Sequence, residues 1–156
     1  MEYYCLTQSP IGEILLTSDG EALTGLRFSD HHGTAGLVRE DSLPIFEKTR
    51  IWLSRYFNGE APGHGEIAIS LRGSPFALSV WEELKKIPYG ETVAYGDIAR
   101  SIGCRSAQAV GGAVGRNPIS IIVPCHRVIG ADGGIVGYTG GLERKIAMLE
   151  IEGIRI

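Results

Sequence analysis

A cysteine and a histidine stand side by side directly after an apolar, β-branched run, Ile119–Val123. The run predicts a buried strand, and Pro124 ends it because proline has no N–H to donate. Cys125 follows, with His126 and an arginine next to it. An electropositive neighbourhood of this kind favours the thiolate, which is the nucleophilic form of cysteine. The alternative is an ordinary core cysteine with two polar neighbours, and the wider sequence context favours the nucleophile.

Several helices are predicted around this segment. Helical spacing indicates two short helices over Tyr95–Ile102 and Ser106–Val114, joined by the glycine-bearing turn Gly103–Arg105. This arrangement is typical of a helix-turn-helix, whose second helix recognises DNA. That helix is rich in alanine and glycine, and each internal glycine costs about 1 kcal/mol. Another backbone, from the core or from DNA, is therefore expected to approach it closely. A last helix is predicted over Leu142–Ile151.

The first part of the chain has a different character. Strands are predicted over Glu13–Thr17 and Ala22–Phe28, and a helix over Ser42–Phe57. Composition shifts near Arg72, which predicts two domains, 1–71 and 72–156. The expected fold class is mixed, α+β or α/β. A small N-terminal sheet with one helix precedes a mainly helical domain with a winged-helix-like helix-turn-helix and a buried active-site strand.

Composition narrows the function classes. The chain has 156 residues, 44% hydrophobic and 21% charged, which is typical of a globular protein without a membrane span. The N-terminus lacks a secretory pattern, so a cytoplasmic location is expected. Three cysteines without zinc spacing predict free thiols and no metal. Net charge is −3, but residues 1–71 hold 5 basic and 10 acidic side chains, whereas residues 72–156 hold 10 and 8. The second part could therefore face phosphate.

Residues 74–154 closely resemble the O6-alkylguanine-DNA alkyltransferase family, also called methylated-DNA–protein-cysteine methyltransferases. The matching segments are Thr92–Ala99, Ala109–Gly112, Asn117–Pro118, Ile122–Val128, Gly137–Leu142 and Glu152–Gly153. The block Pro-Cys-His-Arg-Val within these neighbours is highly specific. Residues 1–71 resemble the family's ribonuclease H-like N-terminal domain only loosely, through the order of strands and helix.

The resemblance implies a catalytic set of five residues. Cys125 accepts the alkyl group, His126 removes the thiol proton through a water, and Glu152 orients and polarises that histidine. Tyr95 hydrogen-bonds the departing guanine, and Asn117 braces the turn before the motif. The reaction needs no cofactor, and each molecule acts once, because the alkylated cysteine is not regenerated.

The resemblance also implies a base pocket and a DNA surface. The expected pocket residues are Val123, Val128, Tyr138 and Thr139. The expected DNA-binding residues are Arg105, Ala107, Gln108, Ala109 and Arg116. The expected partner is double-stranded DNA containing O6-alkylguanine, with O4-alkylthymine as a second candidate substrate, and the base must leave the duplex to reach the pocket. A monomer without membrane attachment or an obligate protein partner is expected. Gln108 departs from the family, which usually has an arginine at this position that fills the gap left by the extruded nucleotide.

Two rival functions stay open at this stage. An alkyltransferase-like protein would bind damaged DNA without an acceptor thiol, and the presence of Cys125 argues against it. A cysteine hydrolase would use Cys125, His126 and Glu152 on a small ester or amide, although adjacent cysteine and histidine rarely form such a triad. Some family members bind zinc in the N-terminal domain. Cys5 stands near one ligand position, but the following strands supply no second ligand, so no zinc is expected.

Overall fold

The computed structural model describes residues 1–134, 137–138 and 140–155. The chain divides into two compact units, Met1–Leu71 and Arg72–Ile156. Within the described ranges, no helix is both long enough and apolar enough to span a lipid bilayer.

The first unit is a four-stranded sheet with one helix. Its elements are β1 (Tyr3–Thr7), β2 (Ile14–Ser18), β3 (Leu23–Phe28), β4 (Val38–Arg39) and α1 (Pro44–Phe57). The strand order is β3-β2-β1-β4, antiparallel except that β4 runs parallel to β1. Sequence patterning predicted β2, β3 and α1 well. It missed β4, because a two-residue, exposed edge strand carries no alternation.

The core of this unit lies between β2 and α1. All five residues of β2 are buried, and α1 buries an apolar face that includes Phe46, Trp52 and Tyr56. The helix ends at Asn58, and Gly59 follows with a φ of +85°, a conformation that glycine adopts without strain. After the helix, Ile69 forms an isolated parallel bridge with Leu23.

The second unit is mainly helical. Its elements are α2 (Pro75–Lys85), β5 (Val93–Ala94), α3 (Tyr95–Ser101), α4 (Ala107–Gly115), β6 (Val128–Ile129) and α5 (Leu142–Ile151). Ser74 caps α2 by accepting a hydrogen bond from the N–H of Ala77 at 3.1 Å. The indole N–H of Trp81 donates to the carbonyl of Ala113 at 2.9 Å, which ties α2 to α4. The strands β5 and β6 pair in parallel.

Helices α3 and α4 form the predicted helix-turn-helix. Gly103 turns the chain with a φ of +70°, and the N–H of Cys104 donates to the carbonyl of Ala99 at 2.8 Å. The hydroxyl of Ser106 then caps α4 by accepting from the N–H of Ala109 at 3.0 Å. A small sheet with one helix, followed by a mainly helical unit, confirms the predicted mixed α and β fold class.

One part of that prediction is wrong: Ile119–Val123 is not a strand. The segment is buried as expected, but it is built of turns, and only Ile119 forms a bridge. Among the described residues, backbone hydrogen bonds of the segment close locally, as in the bond from the N–H of Val123 to the carbonyl of Ile119 at 3.1 Å. A buried apolar run looks the same in sequence whether its backbone is extended or coiled.

Candidate active site

Asn117 organises the segment that leads to the cysteine. Its side-chain amide donates to the carbonyl of Val123 at 2.8 Å and to that of Ile119 at 3.4 Å. Its side-chain oxygen accepts from the N–H of Ile119 at 3.1 Å. One buried side chain therefore satisfies three backbone groups that a sheet would otherwise pair. This geometry matches the bracing position expected for Asn117.

Two very tight turns then bring the chain to Cys125. Ile121 has a φ of +71°, and the N–H of Ile122 donates to the carbonyl of Ser120 at 2.8 Å. This is the rare form of γ-turn, and a β-branched residue adopts it only under strain. A second γ-turn, of the common inverse form, is centred on Pro124, where the N–H of Cys125 donates to the carbonyl of Val123 at 2.8 Å.

Cys125 lies at a cavity of about 330 Å³ in the second unit. The other lining residues are Tyr95, Gly111, Val114, Gly115, Gly137 and Tyr138. The thiol-bearing residue is itself only 2% exposed. Small residues of α4 form one wall, and a Cβ added to Gly111 would meet the ring of Tyr95 at 3.7 Å. The volume suits a small organic group or one base, and the reactive sulphur lies within reach of it.

A buried network of charges lies next to the cysteine. His126 Nε2 is 2.6 Å from Glu152 Oε2. Arg127 holds the same carboxylate with two nitrogens, Nε to Oε1 at 2.8 Å and Nη2 to Oε2 at 3.2 Å. The N–H of Gly90 donates to Oε1 at 3.0 Å, and Arg127 Nη1 donates to the carbonyl of Ile87 at 2.7 Å. The histidine ring is therefore held by a carboxylate that accepts three further hydrogen bonds, two from Arg127 and one from Gly90.

The carboxylate of Glu152 is ionised. Burial raises its pKa, but the hydrogen bond and charge of His126, with the donors of Arg127 and Gly90, outweigh burial and hold the pKa at about 2. An ionised carboxylate can only accept hydrogen bonds, so Nε2 of His126 carries the proton in this pair. Burial, with the charges of Arg127 and Lys145, lowers the pKa of His126 despite Glu152. The imidazole is therefore neutral near pH 7, and its Nδ1 has the lone pair of a base.

The arginine next to the thiol in sequence is not the positive charge that acts on it. Burial raises the pKa of Cys125, and the nearby side chains of Asn117, Ser120 and Tyr138 offset burial only in part. The guanidinium of Arg127 is committed to Glu152. Burial therefore outweighs the neighbouring groups that favour the thiolate. The thiol needs a base.

Lys145 is a buried residue of the site that the sequence did not reveal. Its side chain is fully buried, and Nζ donates to the carbonyl of Val128 at 2.6 Å and to that of Gly137 at 3.3 Å. It thereby joins α5 to β6 and to one wall of the cavity. Its charge also lowers the pKa of Cys125. Lysine at a helical position usually indicates a solvent-facing side chain, so no sequence signal marks it.

The remaining predicted residues fall into three places. Arg105, Ala107, Gln108, Ala109 and Arg116 are all exposed, around the start and the end of α4. Tyr95 and Tyr138 line the cavity, and burial raises the pKa of Tyr95, so its hydroxyl stays protonated and can donate. Val123 and Val128 are fully buried, and neither is among the described residues that line the cavity, so their place in a base pocket stays a prediction. Thr139 lies outside the described residues.

No group of three or more histidine, cysteine, aspartate or glutamate side chains is arranged to hold a metal ion in the part of the chain that the structure describes.

Comparison with known proteins gives two family matches. Residues 2–69 match the model described as "6-O-methylguanine DNA methyltransferase, ribonuclease-like domain", and residues 75–154 match that family's "DNA binding domain". A methylated-DNA–protein-cysteine methyltransferase of Haemophilus influenzae is 42% identical over 155 residues, covering 97% of this chain and 87% of the relative.

Two crystal structures of Mycobacterium tuberculosis proteins are similar over most of the chain. An O6-methylguanine methyltransferase has a TM-score of 0.91 at 43% identity, covering 100% of this chain and 95% of the other. A structure titled as OGT in complex with DNA has a TM-score of 0.90 at 44% identity, covering 96% and 92%.

Proposed function

The chain belongs to the 6-O-methylguanine DNA methyltransferase family, and from that premise we propose that it repairs DNA by direct reversal, moving the alkyl group of O6-alkylguanine onto Cys125. The observation that carries the proposal is a buried thiol at an open cavity, beside a buried histidine–carboxylate pair. Names and titles of the relatives, including a structure with DNA, support the same function.

The chemical step is a displacement at the alkyl carbon. Sγ of Cys125 attacks that carbon, a C–S bond forms, and the C–O6 bond breaks with its electron pair moving to the purine. The purine takes up one proton, which balances the proton that the thiol loses, and the products are guanine and an S-alkylcysteine. The C–S bond of a thioether is stable in water, so the thiol is not regenerated and each molecule reacts once.

Proton removal is the role we assign to His126 and Glu152. Because burial raises the pKa of Cys125, the resting thiol is protonated and its proton must leave before attack. Neutral His126 takes that proton at Nδ1 through a water, and the imidazolium that forms is stabilised by the carboxylate at Nε2. Arg127 is a positioning residue, since it holds Glu152 in place for the histidine.

Tyr95 is proposed to serve the leaving purine. Its ring lines the cavity beside Gly111 of α4, and its hydroxyl stays protonated. A hydrogen bond from this hydroxyl neutralises charge that develops on guanine as the C–O6 bond breaks. Asn117 acts indirectly, by fixing the turns that set the position of the cysteine.

The substrate is proposed to be duplex DNA with the damaged base turned out of the helix. The exposed residues of α4, with Arg105 and Arg116 beside them, form the surface offered to the phosphate backbone. We propose that residues 72–156 form the DNA-binding, alkyl-accepting domain and residues 1–71 a ribonuclease H-like domain. We further propose a cytoplasmic monomer that acts without cofactor or metal.

Intact-mass spectrometry after incubation with an O6-methylguanine duplex tests the proposal. We expect one added methyl group per chain, mapped to the Cys125 peptide, and no turnover beyond one equivalent. Binding without any mass change would indicate a damage-binding protein, and multiple turnover on small esters would indicate a hydrolase. A methyl group on Cys5 or Cys104 would also contradict the assignment.

A further inference from the structure

The turn before Cys125 brings a second polar side chain to the thiol. Ser120 precedes the cysteine by five residues, which in an extended strand is a separation of about 16 Å. The γ-turn at Ile121 reverses the chain directly after Ser120. The serine side chain consequently lies near the thiol, where it acts as a hydrogen-bonding group that lowers the pKa of Cys125, and Ser120 is only 8% exposed. A strained backbone conformation thus places a buried hydroxyl near the reacting atom.

A second hydroxyl, that of Tyr138, belongs to a residue that lines the same cavity as Cys125. Tyr138 Oη is buried, and no hydrogen-bond partner of good geometry accepts from it among the residues that the structure describes. Ser120 and Cys125 lie against it. Burial raises the pKa of Tyr138 well above its ordinary value, so the hydroxyl keeps its proton. A buried donor that lacks a good acceptor costs free energy, and it gains one when the thiol beside it becomes charged.

The other groups that face the sulphur are committed elsewhere. They are Tyr95 from α3, Asn117 from the preceding turn, His126 next in sequence and Lys145 from α5. The amide of Asn117 donates to two backbone carbonyls, and the ammonium of Lys145 donates to two others. Tyr95 faces the place of the purine. Among the residues that the structure describes, the two remaining side-chain donors near Sγ are the hydroxyls of Ser120 and Tyr138.

We propose that the hydroxyls of Ser120 and Tyr138 form a pair of hydrogen-bond donors that holds the Cys125 thiolate, which makes Ser120 a further catalytic residue. Both hydroxyls keep their protons, while the thiol proton leaves toward His126. The hydrogen bonds strengthen as negative charge appears on Sγ and weaken when the C–S bond removes it. The proposal relies on the alkyl transfer proposed above for the reaction served, but the state of the thiol can be measured without DNA.

The experiment is the rate of Cys125 alkylation by iodoacetamide as a function of pH, read from the mass of the Cys125 peptide. A hydrogen bond to a charged acceptor is among the stronger kinds in proteins. Ser120→Ala should therefore react roughly tenfold more slowly at pH 7, and the midpoint of its pH–rate profile should move to higher pH. Ser120→Thr, which keeps the hydroxyl, should restore most of the rate.

Ser79→Ala is the matched control, because it removes a hydroxyl of the same unit that donates to the carbonyl of Phe76 and does not face Sγ. A wild-type profile for folded Ser120→Ala, or a slower rate with an unchanged midpoint, would overturn the proposal. If Ser120→Ala does not fold, Tyr138→Phe carries the test with the same expected shift, and an unchanged profile overturns it. If the iodoacetamide rates change as expected but the wild-type protein takes up no methyl group from DNA, the repair function is refuted. The proposed role of the two hydroxyls is then still supported.

Discussion

The two units of the chain bury different kinds of polar residue. The first unit, residues 1–71, buries only neutral hydroxyls, at Thr17, Ser18, Thr24 and Thr49. Each is hydrogen-bonded, for example Thr17 to Thr24 at 3.0 Å. The second unit also buries four ionisable side chains, His126, Arg127, Lys145 and Glu152. Burying an unpaired charge costs several kcal/mol of folding free energy, so buried ionisable side chains do not serve stability alone. Their concentration around Cys125 indicates that this core is built for chemistry.

The same contrast separates two buried cysteines. Burial raises the pKa of Cys5 in the first unit as it does that of Cys125 in the second. Cys5 lies in the central part of β1, with Arg50 nearby, whereas Cys125 borders a cavity and is followed by a buried imidazole. Burial therefore does not distinguish a structural thiol from a reactive one. The two cysteines differ instead in the imidazole and the cavity beside Cys125.

The largest effect is expected from removing the base. His126→Ala should slow methyl transfer from an O6-methylguanine duplex by roughly a hundredfold or more at pH 7, because general base catalysis contributes about that much. The rate should recover partly at high pH, where the thiol ionises without help. Single-turnover kinetics measures this, and duplex affinity should stay near wild type.

His64→Ala is the control from the first unit, where the imidazole is exposed. It should react at the wild-type rate. A His126→Ala protein that is folded and transfers methyl groups normally would show that the imidazole is not the base.

The next effect concerns stability. Glu152→Gln leaves the guanidinium of Arg127 buried without its charged partner, and breaking such a pair costs about 3–5 kcal/mol. Glu66→Gln is the matched substitution in the first unit, where Glu66 pairs with Arg55 at 2.7 Å on the surface, and we expect little change there. Urea unfolding followed by circular dichroism compares the two. Equal stability of both variants would mean that the buried network does not stabilise the fold.

Acid should weaken the second unit through the same residues. The pKa of Glu152 lies near 2, below its ordinary value of 4.5, so its stabilising contribution is complete above pH 4.5 and is lost as pH falls toward 2. That contribution is on the order of 3 kcal/mol. The lowered pKa of His126 acts in the same direction below pH 6.5, because the folded state resists protonation of the imidazole. The free energy of unfolding should therefore decrease as pH is lowered. Glu152→Gln should flatten the plot of this free energy against pH between pH 5 and 3. A variant curve parallel to the wild-type curve would contradict the assignment.

Local sequence rules predicted most of the helices. Helix α5 was predicted with its observed bounds, and the cap of α2 at Ser74 and the turn at Gly103 form as their residue types require. These features depend on neighbours within about four residues. The short edge strand β4 failed this test, because it exists only through pairing with a distant strand.

The sequence predicted less of the site than of the fold. Cys125, His126 and Glu152 were identified through family resemblance, and the structure places Glu152 against the histidine. The pairing of Arg127 with Glu152 could not be predicted, because adjacency in sequence does not determine the direction in which a side chain points. Lys145 lies at the site because its position on α5 faces inward, and Ser120 because a strained turn at Ile121 follows it. The type of a single residue predicts neither of these placements.

The smallest expected effect concerns Gln108, where the chain departs from its family. This residue is exposed in the first turn of α4, and Arg105 precedes the helix and Arg116 follows it. Extruding a base costs a few kcal/mol of lost stacking and pairing, and a side chain that fills the gap recovers part of it. Arginine is longer than glutamine and also offers a fork of donors to phosphate. The flanking arginines can supply phosphate contacts in either case, so the difference should be confined to the extrusion step.

Gln108→Arg should therefore raise the transfer rate on duplex DNA by a few-fold at most, with a smaller gain on single-stranded DNA and none on free O6-benzylguanine. The three substrates separate the causes, because only the duplex has a gap to fill. Ala107→Arg, one position away on the same exposed turn, controls for added charge. An equal gain on all three substrates would place the effect in the cavity. A slower duplex reaction would mean that glutamine already fills the gap better than arginine does on this helix.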